Sequence, residues 1–324
     1  MRDLWSRRRI NATALALLGS AGLGIPARAA TALRVGKAVS ESIAFAPADI
    51  GVKRGIFQKA GLDLEILGFP GGAKMHQALA AGSLDIALGS GPDLPFIVHG
   101  EPARAVATIV DAPAYLVVLA QPDGSVKTLA DLKGKMVNVA SLASLTGWLG
   151  NKIWQTQGWA QSDLRFTTSS PSAGLALLRT GQIAAMVTDG TFSLKAEEQG
   201  AGKIIYNFGS MVKDFHTHMI FASDQLISSN PAAVTAFITA WFQTVAAMRA
   251  DRAQTIKDLG EVLGLDTTVA TQSYDAFMPM FKTDGHFEDK ALAVLSKSFV
   301  EMGTLPTEPE DLHKLYTEEL LPKT

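Results

Sequence analysis

One fourteen-residue pattern occurs twice in this chain, and it constrains the fold more than any other feature. Ala78-Leu79-Ala80-Ala81-Gly82-Ser83-Leu84-Asp85-Ile86-Ala87-Leu88 runs into Gly89-Ser90-Gly91. A shift of 99 residues brings Leu177-Leu178-Arg179-Thr180-Gly181-Gln182-Ile183-Ala184-Ala185-Met186-Val187, running into Thr188-Asp189-Gly190. Each copy predicts a helix stopped by glycine, a short apolar strand and a glycine-bearing turn. Gly82 and Gly181 suit the stop because glycine enters the left-handed conformation beyond a helix end without a side-chain penalty. Two similar α/β lobes would set two groups of strand-end loops face to face. That is the geometry of a protein that closes on a small molecule.

The rest of the pattern extends this reading. Strands are expected at 33–39, 62–66, 84–88, 105–110 and 115–120, with helices at 48–59 and 73–81 between them. Residues 62–66 alternate apolar and acidic, the period-two mark of a strand with one wet face. After the turn Pro122-Asp123-Gly124-Ser125 come strands at 136–140, 165–168, 204–208 and 218–222 and a helix at 145–157. Thr128 and Asp131 stand at capping-box spacing, and Ser170-Pro171 suits a helix start. From Asn230-Pro231 the pattern is helical, at 232–250, 252–263, 268–281, 289–302 and 310–321. Interleaved strands and helices predict an α/β protein with two doubly wound, mostly parallel sheets. The late helices should pack back on the first lobe.

Arg7-Arg8-Arg9, an uncharged run over 10–25 and Ala27-Arg28-Ala29 have the three regions of a secretory signal, with cleavage expected after Ala29. Ser6-Arg7-Arg8-Arg9-Ile10 also matches a twin-arginine signal in part, with Asn11 in place of an apolar residue, so general secretion and twin-arginine export both stay open. Cleavage would leave 295 residues with 24 basic and 30 acidic side chains, a charge of −6. Such a surface has no basic excess for nucleic-acid phosphates. The chain has no cysteine. That excludes disulfides, thiol catalysis, thiolate metal sites and lipid attachment at an N-terminal cysteine. The expected location is the periplasm, as a freely diffusing monomer.

In open α/β sheets ligands bind beyond the carboxyl ends of the strands, near helix N-termini. The loops so selected are Ser40-Glu41-Ser42, Gly71-Gly72, Ser90-Gly91, Asp111, Ser141 with Ser144 and Thr146, and Asp189 with Thr191. Hydroxyls and free N–H groups favour an anionic oxygen cluster, while Glu41, Asp111 and Asp189 suit an amine or ring N–H donor. Trp148 would stack on a ring, and Phe45, Phe96 and Phe192 would wall the cleft. Lys74 is the cation nearest a site loop. His216 and His218 share a strand face but lack a third ligand for a metal site. No G-x-S-x-G, H-E-x-x-H or P-loop occurs, so no catalytic residue, metal or cofactor is assigned.

Gly55-Ile56-Phe57, Gly61-Leu62-Asp63-Leu64-Glu65, Gly71-Gly72, 78–87 and Leu129-Ala130-Asp131-Leu132-Lys133-Gly134-Lys135 together resemble the substrate-binding proteins of ABC importers. The likeness is greatest to the nitrate/sulfonate/taurine group, whose fold is shared with thiamine-pyrimidine-precursor binders. The resemblance implies the two-lobed periplasmic binding protein fold, with lobe 1 at 30–119 plus 221–324 and lobe 2 at 120–220. It places the crossing segments near 119–122 and 220–224. It also implies ligand capture by hinge closure and delivery to a membrane permease with a cytoplasmic ATPase. The ligand expected is a small organic sulfonate or aminosulfonate, with a pyrimidine-like aromatic as the alternative. Rival functions are a pyrimidine or cofactor-precursor synthase on the same scaffold and a ligand sensor. The cysteine cluster of the fungal synthases has no counterpart here.

Overall fold

The computed structural model describes residues 30–142 and 144–323. The expected export signal therefore lies outside the described residues. Ten strands are described: β1 (Thr31–Lys37), β2 (Leu62–Gly68), β3 (Ile86–Ser90), β4 (Ala103–Asp111), β5 (Leu116–Ala120), β6 (Met136–Val139), β7 (Arg165–Thr168), β8 (Ala185–Asp189), β9 (Lys203–Asn207) and β10 (His216–Ser223). They form two five-stranded sheets, ordered β2-β1-β3-β10-β4 and β7-β6-β8-β5-β9.

The sequence repeat falls on equivalent positions of the two sheets. β3 lies between β1 and β10, and β8 between β6 and β5. Each is preceded by a nine-residue helix, Gly72–Ala80 or Pro171–Arg179. Gly82 and Gly181 have φ of +70° and +75°, the left-handed stop expected of them.

The sheets are mixed, which refines the expectation of mostly parallel ones. β1 pairs in parallel with β2 and β3, and β6 with β7 and β8. β10 and β5 each run antiparallel to both neighbours. These two are the first strands after the chain changes sheet. The other strands in each sheet point their carboxyl ends at the seam between the sheets, so a strand that starts at the seam runs the other way. No helical crossover is then needed, because only parallel neighbours require one. β5 and β10 are buried along their whole length, as central strands covered on both faces.

Strand pairing sets the change of sheet at 112–115 and 208–215, a few residues ahead of the crossings expected at 119–122 and 220–224. The two segments are tied to each other, Ala112 N–H donating to the Phe215 carbonyl at 2.8 Å. Each contains a residue in the left-handed region, Ala112 (φ 59°) and Asp214 (φ 49°). Among the described residues no other non-glycine has positive φ. Such a conformation costs energy that surrounding contacts must offset.

Three expectations about helices change. The helix expected over 48–59 is two, Ala46–Lys53 and Ile56–Lys59, broken where Gly55 turns left-handed (φ +67°). Residues 310–321 hold only the short turn Leu312–Lys314. Their backbone is used elsewhere: Ala105 N–H donates to Leu315 and Thr317 N–H to Ala105, at 3.0 and 2.9 Å, which covers the open edge of β4. Of the late helices, Pro231–Ala250 and Arg252–Leu263 pack on Ala46–Lys53, as expected for the first lobe. Thr267–Phe277 packs both on Arg252–Leu263 and on Gly190–Glu198, which follows β8 of the second sheet. Pro231–Ala250 is long and apolar enough to cross a membrane, but Phe237, Ile238, Trp241 and Val245 are buried in the core.

Candidate functional site

The two sheets meet through the loops beyond their strand ends. Ser42, buried just after β1, starts the turn Ile43–Phe45 and takes a hydrogen bond from Ala44 N–H. Its hydroxyl donates across the seam to Asp189 Oδ2 at 3.0 Å. Asp189 ends β8 and caps the helix Gly190–Glu198, Oδ1 accepting from Thr191 N–H at 2.8 Å and Phe192 N–H at 3.3 Å. Burial pushes its carboxyl up to about 6, against the pull of these hydrogen bonds. The Thr191 hydroxyl is buried close to this carboxylate and lowers its pKa, but makes no hydrogen bond of good geometry among the described residues. Gly190 is required at the seam: a Cβ there would meet the Phe277 ring and lie 2.8 Å from the Tyr115 carbonyl.

Below this contact Tyr115, in the first crossing, is bonded through its hydroxyl to His218 Nε2 of β10. The other ring nitrogen of His218 bonds the Gly89 carbonyl at 3.0 Å, and only an N–H can do that. A neutral imidazole has one N–H, so Nε2 accepts and Tyr115 is the donor. Burial keeps His218 neutral, pressing its pKa down to about 4 despite the Gly89 carbonyl and the Asp93 charge. It raises Tyr115 well above the usual phenol value, with the Asp189 charge adding to the effect. Phe45 lies against His218, ring centroids 4.8 Å apart.

The remaining expected site residues fall in five places. Ser40 and Glu41 are exposed beside Ser42. Ser144 and Thr146 spend their hydroxyls on each other, on the Ser141 backbone and on the helix start. Ser144 Oγ donates to the Ser141 carbonyl at 2.7 Å and accepts from Gly147 N–H at 3.3 Å, and Thr146 Oγ1 accepts from Ala140 N–H at 3.0 Å. Trp148 is 2 % exposed, its ring stacked on Phe215 and its N–H donating to Glu301, so its ring and N–H are engaged by the protein itself. Asp111 is held by His216 at 2.7 Å and Lys282 at 2.9 Å, in a network at the two crossings. The two histidines of β10 thus each have a side-chain partner, and among the described residues no group of three or more His, Cys, Asp or Glu is placed to hold a metal ion.

Gly71, Gly72, Ser90 and Gly91 belong to a second built cluster, in the first sheet. Ser90 N–H donates to Asp93 Oδ2 at 2.7 Å, and a Cβ on Gly72 would come 2.7 Å from the same carboxylate. A Cβ on Gly91 would strike the His216 carbonyl. Buried His76 lies between Glu101, at 2.8 Å, and Asp93, at 3.5 Å. Sequence reasoning missed His76, Asp93 and Glu101. The Ser90–Asp93 spacing equals that of Thr128–Asp131, which was a usable signal.

Burial alone would press the His76 imidazolium down, but the two carboxylates outweigh it and lift the pKa to about 9, from an ordinary 6.5. The folded value lies above the unfolded one. The stability it contributes is therefore complete below pH 6.5 and lost as pH rises through about 9. Urea midpoints measured from pH 6 to 10 should fall for the unmodified protein and stay flatter in His76→Gln. Parallel curves for the two proteins would contradict this assignment.

Residues 42–254 match the family model described as NMT1/THI5 like. No curated protein matches the sequence. Among solved structures, the chain is similar to the alkanesulfonate-binding protein SsuA from Xanthomonas axonopodis pv. citri bound to MOPS. The TM-score is 0.75 at 17 % identity, over 90 % of this chain and 99 % of that one. The periplasmic aliphatic sulphonate binding protein SsuA from Escherichia coli gives a TM-score of 0.74 at 21 % identity, over 88 % and 92 %. The desulfurization enzyme DSZB gives 0.67 at 15 %, over 90 % and 97 %. At these identities the likeness shows the fold, that of the periplasmic binding proteins.

Proposed function

The chain belongs to the NMT1/THI5-like family, and from that premise we propose that it is a solute-binding protein that captures a small organic molecule between its two sheets. One observation carries this reading: the carboxyl-end loops of both sheets converge on a single seam, joined by Ser42–Asp189 and Tyr115–His218. This is where ligands lie in open α/β folds. The paired crossings at 112–115 and 208–215 are the hinge about which the seam opens. The ligand is a small organic anion of the sulfonate class, supported by the likeness to sulfonate-binding proteins. The protein acts in the periplasm as a monomer, without catalysis of its own, and hands its ligand to an ABC permease and its ATPase.

A thermal-shift screen over sulfonates, nitrate, aromatic acids and pyrimidines tests this. A ligand at 100 times its Kd stabilises by about 2.7 kcal/mol. Small-angle scattering with the best compound should show a smaller radius of gyration than without it. Turnover of a bound compound by mass spectrometry would replace the binder with an enzyme. Stabilisation by pyrimidines alone would replace the ligand class.

A further inference from the structure

We infer that Asp189 selects ligands bearing a cationic or N–H donor nitrogen, which takes the place that Ser42 holds across the seam. The inference rests on the solute-binding reading above. Asp189 makes no ion pair among the described residues; its carboxylate has only the Ser42 hydroxyl and its own helix start. A buried carboxylate without a counter-charge is costly, and such groups are ordinarily paired.

Among the described residues no cation pairs with Asp189: Lys74, beside the Gly71-Gly72 loop, and Lys213, in the second crossing, are both exposed. His218 spends its one N–H on Gly89, and Tyr115 spends its proton on His218, which leaves only lone pairs on the phenol oxygen. Lys37, Lys152 and Lys282 are each paired with another carboxylate. The seam therefore presents acceptors: the Asp189 carboxylate and the Tyr115 oxygen, with the unpartnered, 2 %-exposed hydroxyl of Thr191 able to accept as well. The N–H groups at the start of the Asp189 helix, where an anion would otherwise dock, already face Asp189. What the seam lacks is a donor with positive charge, and a ligand nitrogen supplies it.

Calorimetric titration of two matched pairs tests this: 2-aminoethanesulfonate against ethanesulfonate, and 4-amino-2-methylpyrimidine against 2,4-dimethylpyrimidine. Within a pair that binds, the amino member should bind about ten- to a hundredfold more tightly, the scale of a charge-assisted hydrogen bond. Asp189→Asn keeps a side chain that caps helices well and should bring the two members within about threefold of each other. The comparison on the unmodified protein stands even where the variant folds poorly. Equal affinity within each pair, or a preference that survives Asp189→Asn, overturns the inference and leaves the solute-binding reading in place. If no member of either pair binds, while other compounds of the wider screen do, the inference alone fails; silence throughout the screen sinks both.

Discussion

Trp148→Ala is expected to lower the unfolding free energy by about 3–5 kcal/mol, the range for removing a large buried aromatic. Trp148 sits in the helix Leu145–Thr156 of the second sheet, yet its contacts lie across the seam. Its ring stacks on Phe215 of the second crossing, centroids 4.8 Å apart and planes 15° from parallel. Its N–H donates to Glu301, at the end of the helix Asp289–Glu301 that packs on β10. Lys152, one turn on, reaches the same carboxylate at 2.7 Å. Truncation would open a cavity and leave Glu301 with Lys152 alone. Trp148→Phe keeps a ring against Phe215 but loses the N–H and part of the indole's buried volume, so a smaller loss is expected, about 1.5–3 kcal/mol. Urea unfolding of both variants, followed by circular dichroism, checks the order. If Trp148→Phe kept full stability but lost ligand affinity, the tryptophan would be a ligand platform after all.

That residue also shows where the sequence was readable. The repeat around Gly82 and Gly181 announced two like lobes, because helix stops and apolar strands are local signals. β3 and β8 accordingly hold equivalent places. Loop positions beyond strand ends were legible for the same reason, and Ser42, Asp189 and Thr191 do lie at such positions. Which hydroxyls in those loops are consumed by capping was not legible. Ser144 and Thr146 look in sequence like anion donors, and only their mutual geometry shows them spent on the helix start. Tyr115 and His218 are 103 residues apart and meet only because β5 and β10 both begin at the seam. The reversed direction of those two strands depends on where the chain crosses, a long-range property that no local period encodes. Residues 310–321 failed in the opposite sense: a local helical pattern was overridden by the unpaired edge of β4.

Asp111→Asn should produce a stability defect rather than a binding defect, which tests the proposed separation of the crossings from the ligand seam. Asp111 is the last residue of β4 and His216 the first of β10, so their bond closes the two crossings on each other. The Glu288 N–H donates to His216 Nε2 at 2.8 Å, which fixes the proton on Nδ1, where it meets Asp111 Oδ1 at 2.7 Å. Lys282 occupies the other oxygen at 2.9 Å. Burial would raise this carboxyl, but the bonds to His216 and Lys282 outweigh it and hold it below its ordinary 3.8. A depressed folded value contributes stability that is complete above pH 3.8 and lost as pH falls through the folded value. The unmodified protein should therefore be more stable than Asp111→Asn at pH 7, by about 1.5–3 kcal/mol for the charge-assisted bonds removed. That gap should close on acidification below pH 4. Asp111→Ala should cost more, because it also leaves the buried His216 N–H without an acceptor. Unfolding curves from pH 7 to 3 measure the gap, and titration of the best ligand into folded Asp111→Asn should return an affinity within about threefold of the unmodified protein, below the loss of a charge-assisted contact. A stable variant that has lost its ligand would move Asp111 from the hinge to the binding site, and with it the position of the seam.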